Sequence, residues 1–291
     1  VIGAERSGGH LLISMEYIRG YGLGELLDGL KAAGAQVPLG VFMRLLFQAC
    51  EAIDYAQRAV DIVGNPLGLV HRNISPESIK VDEEGYLRVI DFGLSKFAKA
   101  EDATLPGQIK GTLGYMPLEQ MRGHPLDVRS DIFSLAMTFY EVYTLQSPRD
   151  ALNITAAFDE ATEMSCVGPL VVYRSCPESL EAVFAKATSR EPEARYESGR
   201  AMAEALEGVA RSGVEMASTH EVREWLCEQF ANLQGEREAF EREFIATIEL
   251  NEAREREHSE HVYDEHPDYT EEREELDLDS ESATSRWLVY S

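Results

Sequence analysis

The sequence has few basic residues, no long apolar run and no recognisable leader. Its 291 residues carry 27 Lys and Arg against 52 Asp and Glu, a net charge of −25. This balance argues against nucleic acid or an anionic membrane surface as the main partner. No apolar run reaches the roughly 18 residues that a membrane span needs, and no basic segment followed by an apolar one marks a secreted protein. We therefore expect a cytoplasmic protein.

The cysteines are few and unpaired in pattern. Cys50, Cys166, Cys176 and Cys227 show no C-x-x-C spacing, and no His stands at metal-ligand spacing from them. A disulfide framework or a zinc site is therefore not expected, and a reduced, intracellular setting follows. An apolar fraction of 44% is enough to fill a core without such cross-links.

The most informative stretch runs from His71 to Gly93 and reads H-R-N-I-S-P-E-S-I-K-V-D-E-E-G-Y-L-R-V-I-D-F-G. It resembles the catalytic loop, the metal loop and the hairpin between them in a eukaryotic-type (Hanks-type) bacterial serine/threonine protein kinase. The pattern of that family is H-R-D-L-x-x-x-N followed by D-F-G, and the spacing matches without a gap. The resemblance implies an α+β, protein kinase-like fold, mainly its α-helical C-terminal lobe.

Two positions of this pattern differ in chemistry from the family. The catalytic Asp is replaced by Asn73, and an amide cannot take up the proton of a substrate hydroxyl. Because general-base catalysis contributes about 10²- to 10⁴-fold, we expect most of the rate to be lost. The alternative role for Asn73 is to preserve the hydrogen-bond geometry of the loop. The metal-binding Asn is replaced by Ser78, which is a shorter and poorer magnesium ligand.

Three other side chains of the stretch are candidates by resemblance. Asp91 would be the principal Mg²⁺ ligand, and Arg72 would meet a phosphate on the activation segment. Lys80 stands where the family usually has an apolar residue under adenine. It could pair with Asp82 or reach a nucleotide phosphate. The family resemblance thus implies ATP and Mg²⁺ as cofactors, with one metal site weakened.

Residues 1–18 are predicted to be a remnant strand pair and hinge of the N-terminal lobe. Alternation and a Ser-Gly-Gly turn predict strands at Val1–Glu5 and His10–Tyr17. A lone two-stranded ribbon is marginal in water, so its exposed edge near Val1 is a predicted place for association with another protein.

The hinge itself follows the second strand. By resemblance, Met15 takes the gatekeeper position, and the backbone at Glu16 and Ile18 would hydrogen-bond adenine. A kinase also needs a Gly-rich loop, a strand Lys and a helix Glu to hold the phosphates. No G-x-G-x-x-G occurs in this sequence, and we expect all three groups to lie before Val1, either cut off or absent.

A second motif closes the predicted activation segment. Gly111 to Gln120 reads G-T-L-G-Y-M-P-L-E-Q and resembles the G-T-x-G-Y-x-A-P-E-Q of bacterial serine/threonine kinases. The resemblance implies that Glu119 pairs with Arg195 in the interior. Deleting one member of such a buried pair costs about 3–5 kcal/mol.

Several helices complete the predicted lobe. Apolar spacing predicts a core helix over about Leu39 to Val60. The stretch from Arg129 to Leu145 is apolar nearly all round, which predicts a buried helix. Asp131 at its start would hold the backbone of the catalytic loop by resemblance, or would favour the helix N-terminus through the dipole. Residues 177–209 are predicted to supply two more helices.

The predicted domains are residues 1–18, a kinase-like lobe at 19–211, a helical extension at 212–253 and an acidic tail at 254–291. The last 41 residues carry 14 acidic and 4 basic side chains, a composition typical of disorder. Two amphipathic helices are expected in the extension. Their apolar stripes are Val222, Trp225, Leu226, Phe230 and Leu233, and Phe240, Phe244, Ile245 and Ile248.

Three functional hypotheses follow. The first is a pseudokinase-like lobe that acts as a protein-binding or regulatory module, with the partner unidentified. The second is an enzyme that transfers the γ-phosphate of ATP-magnesium to a protein Ser or Thr, slowly or with an N-terminal lobe outside this chain. The third is a fragment without a selected role. The substitutions at Asn73 and Ser78 favour the first.

Overall fold

A computed structural model describes residues 3–7, 10–92, 113–148, 170, 175–231, 242 and 246. The chain divides into two compact units. The first contains Val1–Ile18 and Phe230–Ser291, and the second contains Arg19–Gln229. The second unit includes most of the described residues and the candidate catalytic loop.

The described part of the first unit is mainly a β-hairpin. Strand β1 (Gly3–Ser7) pairs antiparallel with β2 (His10–Ser14), with Gly3 opposite Ser14 and Ser7 opposite His10. The predicted strand pair is present, but the first strand continues past Glu5 to Ser7, and the second ends at Ser14 and not at Tyr17. β1 offers it five residues to pair with, so the next stretch leaves the strand.

A small antiparallel sheet lies in the second unit, in the order β3 (Gly20–Gly22), β4 (Ile79–Asp82) and β5 (Leu87–Val89). The predicted hairpin after the catalytic loop is β4–β5, with Ile79 opposite Val89. Its turn is held by Asp82, whose Oδ1 accepts from the main-chain N–H of Tyr86 at 2.7 Å.

Two helices follow one another before the catalytic loop. Helix α1 (Leu23–Ala33) ends at Gly34, which adopts the left-handed conformation with φ 61°. Helix α2 (Leu39–Gln57) buries its apolar stripe, as the spacing predicts, and ends three residues before the predicted limit at Val60. The buried residues of that stripe include Phe42, Leu45, Leu46, Ala49 and Ile53.

The central helix of the unit is α4 (Val128–Thr144), which follows the short α3 (Leu118–Met121). Asp127 caps α4 by accepting from the N–H of Arg129 at 2.8 Å. Nearly every residue of α4 is buried, as its all-round apolar sequence predicts. Phe42 of α2 packs edge-on against Phe139 and Tyr143 of this helix, so α2 and α4 share one core.

Three further helices surround this core: α5 (Glu178–Ala187), α6 (Gly199–Arg211) and α7 (Thr219–Gln229). The predicted apolar face of α5 is buried at Leu180, Val183, Phe184 and Ala187. Helix α6 begins at the N-cap Ser198, whose hydroxyl accepts from the N–H of Ala201 at 3.1 Å. The predicted pair of helices at 177–209 is thus present as α5 and α6.

The predicted extension begins inside the second unit. Val222, Trp225 and Leu226 of α7 are buried, and Ala217 before it donates its N–H to Gly40 O at 3.1 Å. The compact unit therefore continues past the predicted boundary at residue 211 and ends at Gln229. The second predicted helix of the extension and the acidic tail lie outside the described residues, apart from residues 242 and 246.

A close approach locks α7 to the β4–β5 turn. Gly85 in this turn has φ 86°, and a Cβ placed there would lie 2.2 Å from Thr219 O. Only glycine fits that backbone and that spacing. Gln48 of α2 joins the same contact, because its Oε1 accepts from the N–H of Leu87 at 2.7 Å. Among the described helices, none has the length and hydropathy that crossing a bilayer requires.

Candidate active site

The main chain of the predicted catalytic loop is held by a buried acid of α4. Asp131 accepts from the N–H of His71 at 2.7 Å and from the N–H of Arg72 at 2.8 Å. Burial raises the pKa of Asp131 to about 6, against the opposing effect of these two N–H groups. Above that pH the ionised carboxylate can accept both bonds. The contact that the family resemblance predicts for Asp131 is therefore present.

His71 is a core residue. It is fully buried, its Nε2 lies 2.7 Å from Ile90 O, and its Nδ1 accepts from the N–H of Asn73 at 3.3 Å. Burial lowers the pKa of His71, so the ring is neutral and Nε2 carries the proton. Phe92 packs edge-on against this ring with centroids 4.6 Å apart. His71 thus ties the catalytic loop to the D-F-G stretch.

Asn73 presents its side chain to solvent. Its main-chain N–H bonds to His71, but its side-chain amide makes no hydrogen bond within the described part of the chain. The predicted role of Asn73 in preserving loop geometry is therefore filled by its main chain and not by its amide. At this exposed position the loop presents a neutral group where the family has a carboxylate.

Ser78 is turned into the loop. It closes a 3₁₀ turn at Pro76–Ser78, where its hydroxyl accepts from Ser75 N–H and donates to Ser75 O, both at 3.1 Å. Ser78 is also buried. Because this hydroxyl is buried and turned toward Ser75, it does not fit a second magnesium site.

Arg72 has an unusual backbone and a partly unsatisfied side chain. Its φ is 68°, in the left-handed region, and its carbonyl accepts from Gln120 Nε2 at 2.7 Å. Its Nε is buried and has no hydrogen-bond partner among the described residues. The predicted phosphate contact of Arg72 would involve the activation segment, whose residues 93–112 lie outside the described range; it stays a prediction.

Asp91 is the carboxylate best placed for a metal. It is exposed, with φ 66°, directly before Phe92, and Ile90 N–H donates to Ser78 O at 2.8 Å. Asp91 fits the role of one magnesium ligand. In the described ranges no three His, Cys, Asp or Glu side chains form a cluster that could hold a metal by themselves.

Lys80 is half-buried on β4, opposite Gly22 and Arg88 in the sheet register. The carboxylate of Asp82, which the sequence offered as a partner for Lys80, accepts from Arg88 Nε at 3.1 Å. Sequence reasoning missed Arg88 because two cations flank the same acid. A nucleotide-phosphate contact for Lys80 stays a prediction.

The predicted hinge residues belong to the first compact unit. Met15 and Ile18 are half-buried and Glu16 is exposed, in a stretch without regular secondary structure. Their predicted contacts with adenine stay predictions.

Glu77 was not singled out from the sequence. It is the only carboxylate between His71 and Val81, and it accepts from the Ser75 hydroxyl at 2.5 Å. Its spacing of four residues from Asn73 is the signal that could have drawn attention to it. The loop therefore carries one exposed negative charge, at position 77 and not at position 73, where the family has its catalytic Asp.

The predicted pair between Glu119 and Arg195 is present behind the loop. Arg195 donates from Nη1 and Nη2 to the two Glu119 oxygens at 2.6 and 3.0 Å. Ser130 donates its hydroxyl to Glu119 at 2.8 Å. Burial alone would raise the pKa of Glu119, but the hydrogen bonds and charge of Arg195 outweigh it and the net shift is downward. Both charges are thus paired and hydrogen-bonded, as burial requires.

A second buried acid was missed. Glu141 of α4 accepts from the Tyr115 hydroxyl and pairs with Lys31 of α1 at 2.7 Å. Burial, followed by the charge of Glu141, raises the pKa of Tyr115. A lone acid inside an otherwise apolar helix signals a buried partner, but the sequence does not say which residue that partner is.

The chain is similar in sequence to known protein kinases. The family model of protein tyrosine and serine/threonine kinases matches residues 1–204. The tyrosine-protein kinase MasK of Myxococcus xanthus is 35% identical over 198 residues, covering 67% of this chain and 30% of that protein. The serine/threonine-protein kinase PknL of Mycobacterium tuberculosis is 30% identical over 205 residues, covering 70% and 48%. The chain thus spans less than half the length of these relatives.

Solved structures agree on the fold. The PknI kinase domain of Mycobacterium tuberculosis matches with a TM-score of 0.52 and 22% identity, over 71% of this chain and 69% of that one. At this identity the likeness concerns architecture alone. The predicted α+β, protein kinase-like fold is confirmed.

Proposed function

This chain belongs to the protein tyrosine and serine/threonine kinase family, and we propose that within it the chain is a pseudokinase that binds a protein partner and does not transfer phosphate. The observation that carries the proposal is Asn73, a neutral and exposed side chain at the position of the catalytic carboxylate. A general base must accept a proton, which an amide does not do. The main chain of the loop is held by Asp131, but position 73 carries no charge.

The metal ligands support the same proposal. Magnesium-ATP, when bound to a kinase, supplies the γ-phosphoryl group and the cation that neutralises its charge. Asp91 could hold one metal ion, but the hydroxyl of Ser78 already makes two hydrogen bonds to Ser75. Any nucleotide would therefore bind with one metal ligand fewer than in the family.

Nucleotide binding can be tested directly. We expect a thermal-shift titration with ATP, with and without Mg²⁺, to leave the melting temperature unchanged. Ligand at 100 times its Kd would add about 2.7 kcal/mol of stability, so real binding would be visible as a shift of several degrees. Asp91→Asn is the matched control, because a magnesium-dependent shift must vanish in that variant.

Catalysis is tested by restoring the family's residues. We expect the double variant Asn73→Asp, Ser78→Asn to transfer no radiolabel from ATP to a protein acceptor, because this sequence carries no G-x-G-x-x-G to clamp the phosphates. Glu77→Gln in the same background shows whether any transfer that does occur uses the exposed carboxylate of the loop. Transfer by the wild-type chain at an ordinary rate would end the pseudokinase proposal.

The second candidate is an active enzyme that phosphorylates protein Ser or Thr, slowly or together with an N-terminal lobe outside this chain. The specific observation in its favour is the intact support of the loop, in which Asp131 holds the N–H groups of His71 and Arg72. In that case Asp91 would bind the metal and the relatives' activity would carry over. A magnesium-dependent thermal shift with ATP separates this candidate from the first.

The partner proposal follows from charge and strand geometry. The net charge of −25 disfavours nucleic acid, and we propose a protein partner. The hairpin β1–β2 offers an edge where another strand could add.

A further inference from the structure

Exposed large apolar side chains are concentrated in one region. Of the described residues, six such side chains are exposed, and five of these lie at the end of α2 and in the loop after it. We call these five residues the apolar knob: Tyr55 (76% exposed), Val60 (54%), Ile62 (104%), Val63 (75%) and Leu67 (49%). The sixth, Tyr86, lies on the β4–β5 turn. Exposed apolar side chains that lie so close together in the sequence mark a candidate interaction site.

The loop that carries the knob is ordered by its own hydrogen bonds. Asp61 Oδ1 accepts from the N–H of Val63 and of Asn65, both at 2.9 Å. Leu67 N–H donates to Ala59 O at 2.9 Å, and Val60 and Pro66 form an isolated β-bridge. The main-chain and side-chain bonds from Asn65 also lower the pKa of Asp61. A surface fixed in this way loses little conformational entropy when it binds.

An acidic cleft lies on the helix that carries Tyr55 of the knob. This cleft of about 90 Å³ lies next to Tyr55 in sequence and is lined by four carboxylates and two guanidinium groups, a net charge of −2. These charged residues are Glu51, Asp54, Arg58, Arg200, Glu204 and Glu207. Within the loop, the carboxylate of Asp61 is directed inward and accepts main-chain hydrogen bonds. Because Glu51 lies one helical turn before Tyr55 on α2, a partner that contacts Tyr55 would also meet the net negative charge of this cleft.

Charge also decides between kinds of partner. A second copy of this chain would bring another net charge of −25. The larger cleft of such a copy, about 280 Å³ and beside Glu119, is lined mainly by charged side chains and does not suit an apolar knob. An anionic lipid surface would be repelled by the same net charge. A different protein with an apolar groove and basic borders complements both features of the surface.

We propose that the apolar knob docks into an apolar groove bordered by Lys or Arg on a different protein. This inference rests on the proposed function, since it names a second surface, besides the edge of the β1–β2 hairpin, through which the pseudokinase would bind a protein. Ile62 and Val63 are the anchors because both side chains are at least 75% exposed and both residues sit at the tip of the hydrogen-bonded loop.

The test uses the whole chain and a matched pair of variants. The double variant Ile62→Asp, Val63→Asp removes the anchors, and Tyr86→Asp makes the same kind of change outside the knob. Because all three side chains are exposed, we expect both variants to melt within about 2 °C of the wild type.

The binding probe is a displayed library of random peptides of about 16 residues, selected on the wild-type chain. We expect enriched peptides that combine apolar residues with Lys or Arg. We expect them to bind the double variant about tenfold more weakly or worse, a loss of about 1.4 kcal/mol, and to bind Tyr86→Asp as they bind the wild type.

Four results would overturn the proposal. The first is that no peptide is enriched, and the second is that the enriched peptides are acidic. The third is that the peptides bind the double variant as tightly as the wild type. The fourth is that the knob binds a second copy of this chain or a membrane. Sedimentation analysis tests self-association, and flotation with vesicles of neutral and anionic lipid tests membrane binding. If the chain self-associates or binds vesicles, and the double variant does not, the knob serves that contact and not a different protein. Phosphate transfer with unchanged peptide binding would reject the pseudokinase proposal and keep this one.

Discussion

The catalytic loop and the interior behind it differ in how closely they match the kinase motif. In the interior, Asp131 still holds the N–H groups of His71 and Arg72, and Glu119 still pairs with Arg195. On the loop, the exposed Asn73 and the inward-turned Ser78 replace the family's catalytic and metal-binding side chains. The two regions lie next to one another, and our proposal assigns the loss of the family's chemistry to the loop alone.

Physical cost explains the difference. Removing one member of a buried, hydrogen-bonded charge pair costs about 3–5 kcal/mol, a large fraction of the stability of a domain. Exposed substitutions usually change stability by less than about 0.5 kcal/mol. Folding alone therefore preserves Glu119 and Arg195, while only catalysis would preserve a carboxylate at position 73. A retained buried pair is evidence of fold and not of activity.

The largest expected effect breaks the interior. Arg195→Met should destabilise the chain by about 3–5 kcal/mol, because it leaves Glu119 buried without its cation. The measurement is the free energy of unfolding from a urea titration. Arg200→Met is the matched control, because Arg200 makes an exposed pair with Glu204 at 2.8 Å, and removing such a pair should leave the free energy of unfolding nearly unchanged. Equal losses in the two variants would contradict the comparison.

The next effect tests the contact of α7 with the β4–β5 turn. Gly64 and Gly85 have nearly the same backbone, with φ 89° and 86°, but only Gly85 has another backbone atom, Thr219 O, within reach of an added Cβ. Gly64→Ala should cost about 1–2 kcal/mol for the left-handed conformation. Gly85→Ala should cost about 1–3 kcal/mol more, because the turn and α7 must move apart. Identical unfolding energies would show that this contact contributes nothing to stability.

A smaller effect follows from acid. The pKa of Glu119 lies below its ordinary value of 4.5, since Arg195 outweighs the effect of burial. A lowered pKa in the folded state stabilises the fold above the unfolded pKa, and this contribution disappears as pH falls through the folded pKa. We therefore expect the wild type to lose stability relative to Glu119→Gln in acid. Urea titrations of both from about pH 7 to pH 3 should show the gap narrowing; a constant gap would reject the pairing.

The smallest effect concerns the loop. Asn73→Asp should change the free energy of unfolding by less than about 0.5 kcal/mol, because the side chain is exposed. The same urea titration measures it, with Asp131→Asn as the contrasting interior change. A large loss on Asn73→Asp would mean that the amide is structural after all.

Much of this fold could be read from the sequence because it is local. The hairpin β4–β5, the stripe of α2 and the all-apolar α4 are periodic patterns that need no knowledge of distant residues. The pair between Glu119 and Arg195 was predicted only through the family motif. Without that resemblance, two charges 76 residues apart carry no signal of contact.

The remaining features depend on distance in the chain and on competition. Lys31 and Glu141 are separated by 110 residues, and the sequence marks Glu141 as unusual without naming its partner. Asp82 had two cations within reach, and its carboxylate accepts from Arg88, which the sheet register places opposite Lys80. The exposed knob was unpredicted for another reason. Apolar residues in a short loop resemble core residues until the fold shows that their side chains are exposed.

The seat of α7 on α2 and on the Gly85 turn has a consequence for domain exchange. A chimaera that joins this lobe to the N-terminal lobe of a relative should include this chain as far as Gln229. If it ended at Arg211, the surfaces of α2 and of the β4–β5 hairpin that α7 covers would be exposed to solvent. Residues 212–229 are in this sense inherited with the lobe, and recombination that respects folding should transfer them together.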